Sequence, residues 1–210
     1  MLSKLRASIK SFIGIVAYPF AALKINPNLF SFFAIPLCLI SAYFISIQNF
    51  YLAFWFGLFA ISIDLFDGAV ARLQNASTLF GNYFETMVDK VVEIVLFIGC
   101  ATIHPLAAVC ALGFSMLVSY AKPRASLVII TDNRDWPGIG EHSERMGLLL
   151  LGFLLSIFGF SINGPPILEI ILWLIAAITF VGSIQRIFYC RSLINEAEQN
   201  GTVLPYLKKK

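Results

Sequence analysis

Six apolar runs, each closed off by a short polar break, constrain this chain more than any other feature. They cover approximately Leu29–Ile47, Tyr51–Val70, Tyr83–Ile103, Leu106–Tyr120, Met146–Ile162 and Ile167–Phe188. A helix needs about 20 mainly apolar residues to cross a bilayer, and fewer when protein caps one end. Of the 210 residues, 59% are hydrophobic and only 13% charged, whereas a soluble domain carries about 25% charged residues. The pattern predicts an all-α integral membrane protein with six transmembrane helices, organised as one domain over residues 1–210. The breaks are Gln48-Asn49, the Gln74–Gly81 loop, His104-Pro105, the polar loop Ala121–Arg145, and Asn163 to Pro166.

Ahead of the first run, Leu2, Leu5, Ile9, Phe12, Ile13 and Val16 recur at helical spacing, with Lys4, Arg6 and Lys10 on the other side. This predicts an amphipathic helix over residues 1–24 lying on an anionic membrane surface. No small-residue cleavage site follows, so a signal peptide is not indicated. Lysines and arginines concentrate on the cytoplasmic side of membrane proteins. With the N-terminus cytoplasmic, all fifteen cations fall on that side. Both termini are then cytoplasmic, in the plasma membrane of a prokaryote-sized protein. Residues 189–210 read as a polar cytoplasmic tail, a solvated tether ending in three lysines. Cys38, Cys100, Cys110 and Cys190 sit singly in apolar surroundings and read as small buried hydrophobes. With two histidines far apart, no zinc or redox centre is indicated, and no nucleic-acid partner is expected.

Against this background, four carboxylates stand out. Asp64 and Asp67 lie three apart near the end of the second run; Glu85 and Asp89 lie four apart near the start of the third. One acidic residue at mid-bilayer costs about 2.5 to 3.5 kcal/mol on the most lenient scale. Residues at these spacings share a helix face. A short connection makes the two helices antiparallel neighbours, so the two acidic faces meet at one depth. Arg72 and Lys90 are too few to neutralise four acids, which points to a bound cation. Oxygen-only ligands suit Mg²⁺, Mn²⁺ or Ca²⁺ rather than zinc, and two Mg²⁺ ions can clamp a phosphoryl displacement. Gly68, Ala69, Ala71 and Gly81 leave room for a bulky ligand beside the acids.

The run Asp64-x-x-Asp67-Gly68-x-x-Ala71-Arg72-x8-Gly81-x-x-x-Glu85-x-x-x-Asp89 resembles the signature of the CDP-alcohol phosphotransferases. Those are membrane enzymes that move a phosphatidyl-type group from a CDP-linked lipid to an alcohol and release CMP. The resemblance implies that Asp64, Asp67, Glu85 and Asp89 hold two Mg²⁺ or Mn²⁺ ions. It makes Asp89 the catalytic base as well. It also implies that Gly68, Ala71, Arg72, Thr78 and Gly81 meet the CDP-lipid, together with Pro27, Asn28, Leu29 and Phe30 at the mouth of the first run. It suggests a homodimer. The departure is Glu85, where the family has aspartate: charge and oxygens are kept, but the carboxylate reaches one methylene further.

Three more cations lie at membrane boundaries: Lys122 in Ser119-Tyr-Ala-Lys-Pro-Arg, Arg145 in Glu144-Arg, and Arg186 in Gln185-Arg. These elements resemble the phosphatidylinositol-phosphate synthase branch and its archaeal-lipid counterparts. That likeness implies that Lys122, Arg145 and Arg186 hold the phosphate of a phosphorylated polyol acceptor such as inositol phosphate. Glycerol 3-phosphate is the rival acceptor. Two other classes stay open: an ion transporter, which would place its acids nearer mid-membrane, and a non-catalytic CDP-lipid-binding protein, motivated by Glu85. Glu93 continues the acidic stripe one turn deeper and reads as structural, paired with Lys90 or Arg72.

Overall fold

The computed structural model describes residues 17–24, 26–76, 78–129, 136, 138–161 and 164–204, without the side chains of Pro27, Phe30, Asp64, Leu65 and Asp67. Besides the helical residues 17–22, they form six helices: α1 Pro27–Ser46, α2 Phe50–Leu73, α3 Leu79–Ala101, α4 Pro105–Ala125, α5 His142–Ile157 and α6 Ile167–Gln199. The only β pairing among the described residues is two isolated bridges, Ile129 with Val203 and Ser161 with Pro166. Each of the six apolar runs thus becomes a helix. By length and composition, α2, α4 and α6 are long and apolar enough to cross a bilayer. The α1 segment Ser31–Ser46 is apolar but shorter. α3 carries Glu85, Asp89, Lys90 and Glu93. α5 has 16 residues, a rise of about 24 Å, short of the ~30 Å hydrocarbon layer. Of the expected surface helix, residues 17–22 are helical; residues 1–16 lie outside the described set.

The helix ends follow local chemistry. Asn26 begins α1 by accepting from the Asn28 N–H at 3.0 Å, and Asn49 begins α2 by accepting from Leu52 N–H at 3.3 Å. Asn75 takes a left-handed φ of 51°, and Ala76 N–H closes α2 on the Ala71 carbonyl at 2.9 Å, the kind of turn that stops a helix. Thr78 then caps α3 through Gly81 N–H at 2.9 Å.

The described chain falls into two compact units, divided between Ile103 and His104. In the first, α1 is the helix on which both α2 and α3 pack, while α2 and α3 touch each other only sparingly. Small residues permit this. A Cβ on Gly99 would come 2.8 Å from the Ala42 Cα, so α1 and α3 approach backbone to backbone there. Ser41, fully buried, donates to the Ala53 carbonyl at 2.8 Å and ties α1 to α2. In the second unit, α4 and α5 both pack on α6.

Several boundaries differ from the sequence reading: α3 begins at Leu79 rather than Tyr83, and α4 runs to Ala125 rather than Tyr120. α5 begins at His142 rather than Met146, because the Glu144 carboxylate accepts from Gly140 and Glu141 N–H at 2.7 and 3.0 Å and caps an earlier turn. It stops at Ile157 rather than Ile162, where Gly159 takes a φ of 68°. α6 does not end at Phe188 but runs to Gln199. Residues 200–204 are no free tether: Leu204 N–H donates to the Val128 carbonyl at 3.0 Å, and Val203 bridges Ile129; the remaining residues of the expected tail lie outside the described set. Buried Ala197 and the turn at Gly201, φ 66°, make that return possible.

Candidate active site

The first unit contains a polar cavity of about 510 Å³. Its walls come from the first turn of α1 (Asn26, Asn28, Ser31), the last turns of α2 (Gly68, Ala71, Arg72, Gln74), the connection (Ala76, Thr78) and the first turns of α3 (Gly81, Asn82, Glu85). α1 packs on both α2 and α3, which touch each other only sparingly, and the cavity lies among the three. Small residues keep it open. A Cβ on Gly81 would lie 3.0 Å from the Thr78 hydroxyl and 3.4 Å from the Asn28 side-chain oxygen. A Cβ on Gly68 would lie 3.2 Å from Arg72 Nη1, so the guanidinium folds back over the bare glycine. Arg72 has no carboxylate partner among the described residues; it is an exposed cation on the cavity wall.

Of the residues expected to meet the CDP-lipid, Asn28, Gly68, Ala71, Arg72, Thr78 and Gly81 converge on this cavity. Leu29 does not line it, and its side chain is 47% exposed. Pro27 and Phe30 are in the first turn of α1, with side chains outside the described set. Thr78 has a second role, as the cap that starts α3. The wall residues Asn26, Ser31, Gln74 and Asn82 were not legible in the sequence. Gln74 is placed by a contact from another segment, donating to the Ala21 carbonyl at 3.4 Å.

Glu85 lines the cavity, and Asp89 lies half-buried one turn deeper on α3. Asp64 and Asp67 are in the last three turns of α2, and their side chains lie outside the described residues. Among the described residues no group of three His, Cys, Asp or Glu side chains is gathered for a metal. The expected set needs Asp64 and Asp67 to complete it. The surroundings fit a divalent ion with a diphosphate: carboxylate oxygen at the wall, a guanidinium beside it with no carboxylate partner among the described residues, and glycines where a ligand must approach the backbone. Lys90 and Glu93, read as a structural pair, form an ion pair of 2.7 Å with Glu93 fully buried.

The second unit holds the three cations expected at the acceptor. Arg145 is 0% exposed and donates to the Gly140 carbonyl and, at 3.2 Å, to the Ser119 hydroxyl. Arg186 is 8% exposed. It donates to the Val118 carbonyl at 2.8 Å and to the Glu141 carboxylate at 2.8 Å, while its buried Nε–H has no partner among the described residues. Lys122 Nζ lies 5.9 Å from the centre of the Trp136 ring, a cation–π contact. Arg145 and Arg186 are bridged by the segment Gly138–Glu141. That segment sits tightly on α6. A Cβ on Gly182 would collide with the Ile139 carbonyl oxygen, and one on Gly140 would come 2.9 Å from Thr179. Gln185 accepts from Ile139 N–H at 3.2 Å. Glu141 as a partner for Arg186 was not foreseen; they stand 45 residues apart in the chain.

Apolar helices around a polar, glycine-walled cavity lined by one guanidinium, Arg72, and one carboxylate, Glu85, are those of a helical membrane protein. Residues 24–182 match the family model described as CDP-alcohol phosphatidyltransferase, and the chain belongs to that family of transferases. It is 26% identical over 191 residues to the archaetidylinositol phosphate synthase of Pyrococcus horikoshii, covering 90% of this chain and 95% of that protein. It is 31% identical over 130 residues to the Methanothermobacter thermautotrophicus protein of the same name, covering 60% of this chain and 63% of that one. The fold is similar to that of Mycobacterium tuberculosis phosphatidylinositol phosphate synthase, solved with CDP-DAG bound: TM-score 0.74, 22% identity, 94% of this chain and 98% of that one. The same protein was also solved with manganese and citrate.

Proposed function

We propose that this chain transfers a phosphatidyl-type group from a CDP-linked lipid to a phosphorylated polyol, inositol phosphate, and releases CMP. The observation that carries this reading is the convergence of the signature residues Gly68, Ala71, Arg72, Gly81 and Glu85 on one polar cavity. The names of the relatives support the choice of acceptor. Arg72, beside bare Gly68, holds and orients the donor's diphosphate through charge-assisted hydrogen bonds. Asn28 and Thr78 bind the nucleotide end. Asp89 accepts the proton that the acceptor hydroxyl loses as it attacks, the work of a positioned general base. The carboxylates of Asp64, Asp67, Glu85 and Asp89 would hold two Mg²⁺ or Mn²⁺ ions, whose charge would offset that of the diphosphate and of CMP. Glu85 reaches further than aspartate and keeps the charge. Arg186, with Lys122 and Arg145, holds the acceptor phosphate; its Nε–H, without a partner among the described residues, and the half-exposed Glu141 carboxylate leave it able to change partners. The chain crosses the plasma membrane six times with both termini and the site on the cytoplasmic side, residues 1–24 lying along the surface, and works as a homodimer.

The test is CMP release by purified protein given CDP-diacylglycerol and Mg²⁺ or Mn²⁺. Parallel reactions contain inositol 1-phosphate, glycerol 3-phosphate or no acceptor. Release that depends on inositol 1-phosphate is expected. Release with glycerol 3-phosphate alone overturns the acceptor assignment. Metal-dependent binding of the donor with no release under any condition overturns catalysis itself.

A further inference from the structure

We infer a second lipid site in the second unit, separate from the polar cavity, that takes an anionic glycerophospholipid of the surrounding membrane. A groove of about 530 Å³ lies between α4 and the C-terminal half of α6. Its lining is graded along the two helices. Leu117 and Tyr120 on α4, with Ile187 on α6, form one end; Arg124 on α4 and Arg191 on α6 stand at the other. The two helices run in the same direction here: Phe114 of α4 packs on Phe180 of α6 with ring centres 5.0 Å apart, and Val118, one turn on, accepts from Arg186, further along α6. From Leu117 to Arg124 the rise is about 10 Å, the span between a phospholipid's upper acyl segment and its phosphate. Leu117, Tyr120 and Ile187 are more than half exposed, so the apolar end is open sideways rather than sealed by protein.

Charge complementarity names the occupant. Arg124 and Arg191 have no carboxylate partner among the described residues. Two cations at the rim of an apolar groove between membrane-crossing helices recognise a lipid phosphate while acyl chain fills the space below. A zwitterionic lipid brings its own ammonium and cancels part of that attraction. Leu204 N–H donates to the carbonyl of Val128, a residue of the groove wall. The site rests on α4 and α6 crossing the bilayer, for which their length and apolar composition suffice. It does not depend on which acceptor the transferase uses.

Native mass spectrometry of the full chain, titrated with phosphatidylglycerol or phosphatidylcholine without the CDP-lipid donor, tests this. The wild type is expected to retain one phosphatidylglycerol per chain with roughly ten- to thirtyfold preference over phosphatidylcholine, the weight of two interfacial arginines. Arg124→Gln with Arg191→Gln is expected to remove the preference while CMP release persists, which shows the variant folded. Leu117→Trp, which keeps both arginines, is expected to block retention by filling the groove. Equal retention of both lipids by the wild type overturns the proposal. So does a Leu117→Trp or double-arginine variant that shifts the monomer–dimer ratio and leaves lipid retention unchanged, because the groove is then a contact between copies.

Discussion

The cavity of the first unit and the Gly138–Glu141 segment of the second treat arginine in opposite ways. In the first, the guanidinium of Arg72 faces a cavity with no carboxylate partner among the described residues, and the glycines around it leave space empty. In the second, Arg145 and Arg186 are buried and already bonded to Gly140, Ser119, Val118 and Glu141, and the glycines are used to bring backbone against helix. The same residue types, glycine and arginine, therefore open a pocket in one unit and clasp a loop in the other. A bare glycine beside a flexible side chain leaves room for a ligand. A bare glycine beneath a carbonyl, as at Gly182, is a packing contact that no other residue can make.

That contrast can be broken most forcefully at the reaction itself. Asp89→Asn is expected to lower CMP release by about 10² to 10⁴, the worth of a positioned base, with unchanged helix content by circular dichroism. Full activity in this variant would remove Asp89 from its role. Gly182→Ala is expected to act on stability instead: pushing a methyl into the Ile139 carbonyl costs about 1 to 3 kcal/mol, read as a lower unfolding midpoint in detergent. The same substitution at Gly68 meets only the flexible Arg72 side chain and should leave that midpoint nearly unmoved while raising the donor KM. If both glycines behave alike, the distinction between pocket and clasp fails.

Arg72→Lys keeps the charge but loses the planar fork; a rise in donor KM of about tenfold, one charge-assisted hydrogen bond in size, is expected in steady-state assays. The smallest effect belongs to Glu141→Gln. Glu141 is 55% exposed where it meets Arg186, so the pair is worth at most about 1 kcal/mol. Removing its charge frees Arg186, and the acceptor KM is expected to fall about two- to fivefold. A rise would mean that Glu141 holds Arg186 in its working position.

All six helices were legible because apolar runs of this length leave a chain little else to do. Their ends were less so. The start of α5 depends on Glu144 reaching back to Gly140 and Glu141, and the length of α6 on Ala197 being buried and Leu204 returning to Val128. Those are contacts with other parts of the chain, invisible to a hydropathy pattern. The expected direct packing of the second and third helices was also modified. α1 lies against both, they touch each other only sparingly, and the cavity lies among the three.

By itself, then, the sequence determined the helical membrane architecture, the family signature from Asp64 to Asp89, and the identity of most of the cavity wall. Spacing along a helix is a local property, and local geometry carries it into space with little freedom. Only the tertiary structure decided that Asn26, Ser31, Gln74 and Asn82 join that wall, that Arg186 rests on Glu141, and that Arg145 is wholly enclosed. Each of these depends on which segment comes to lie beside which. Burial and pairing are properties of neighbours, and no residue's own position in the chain encodes them.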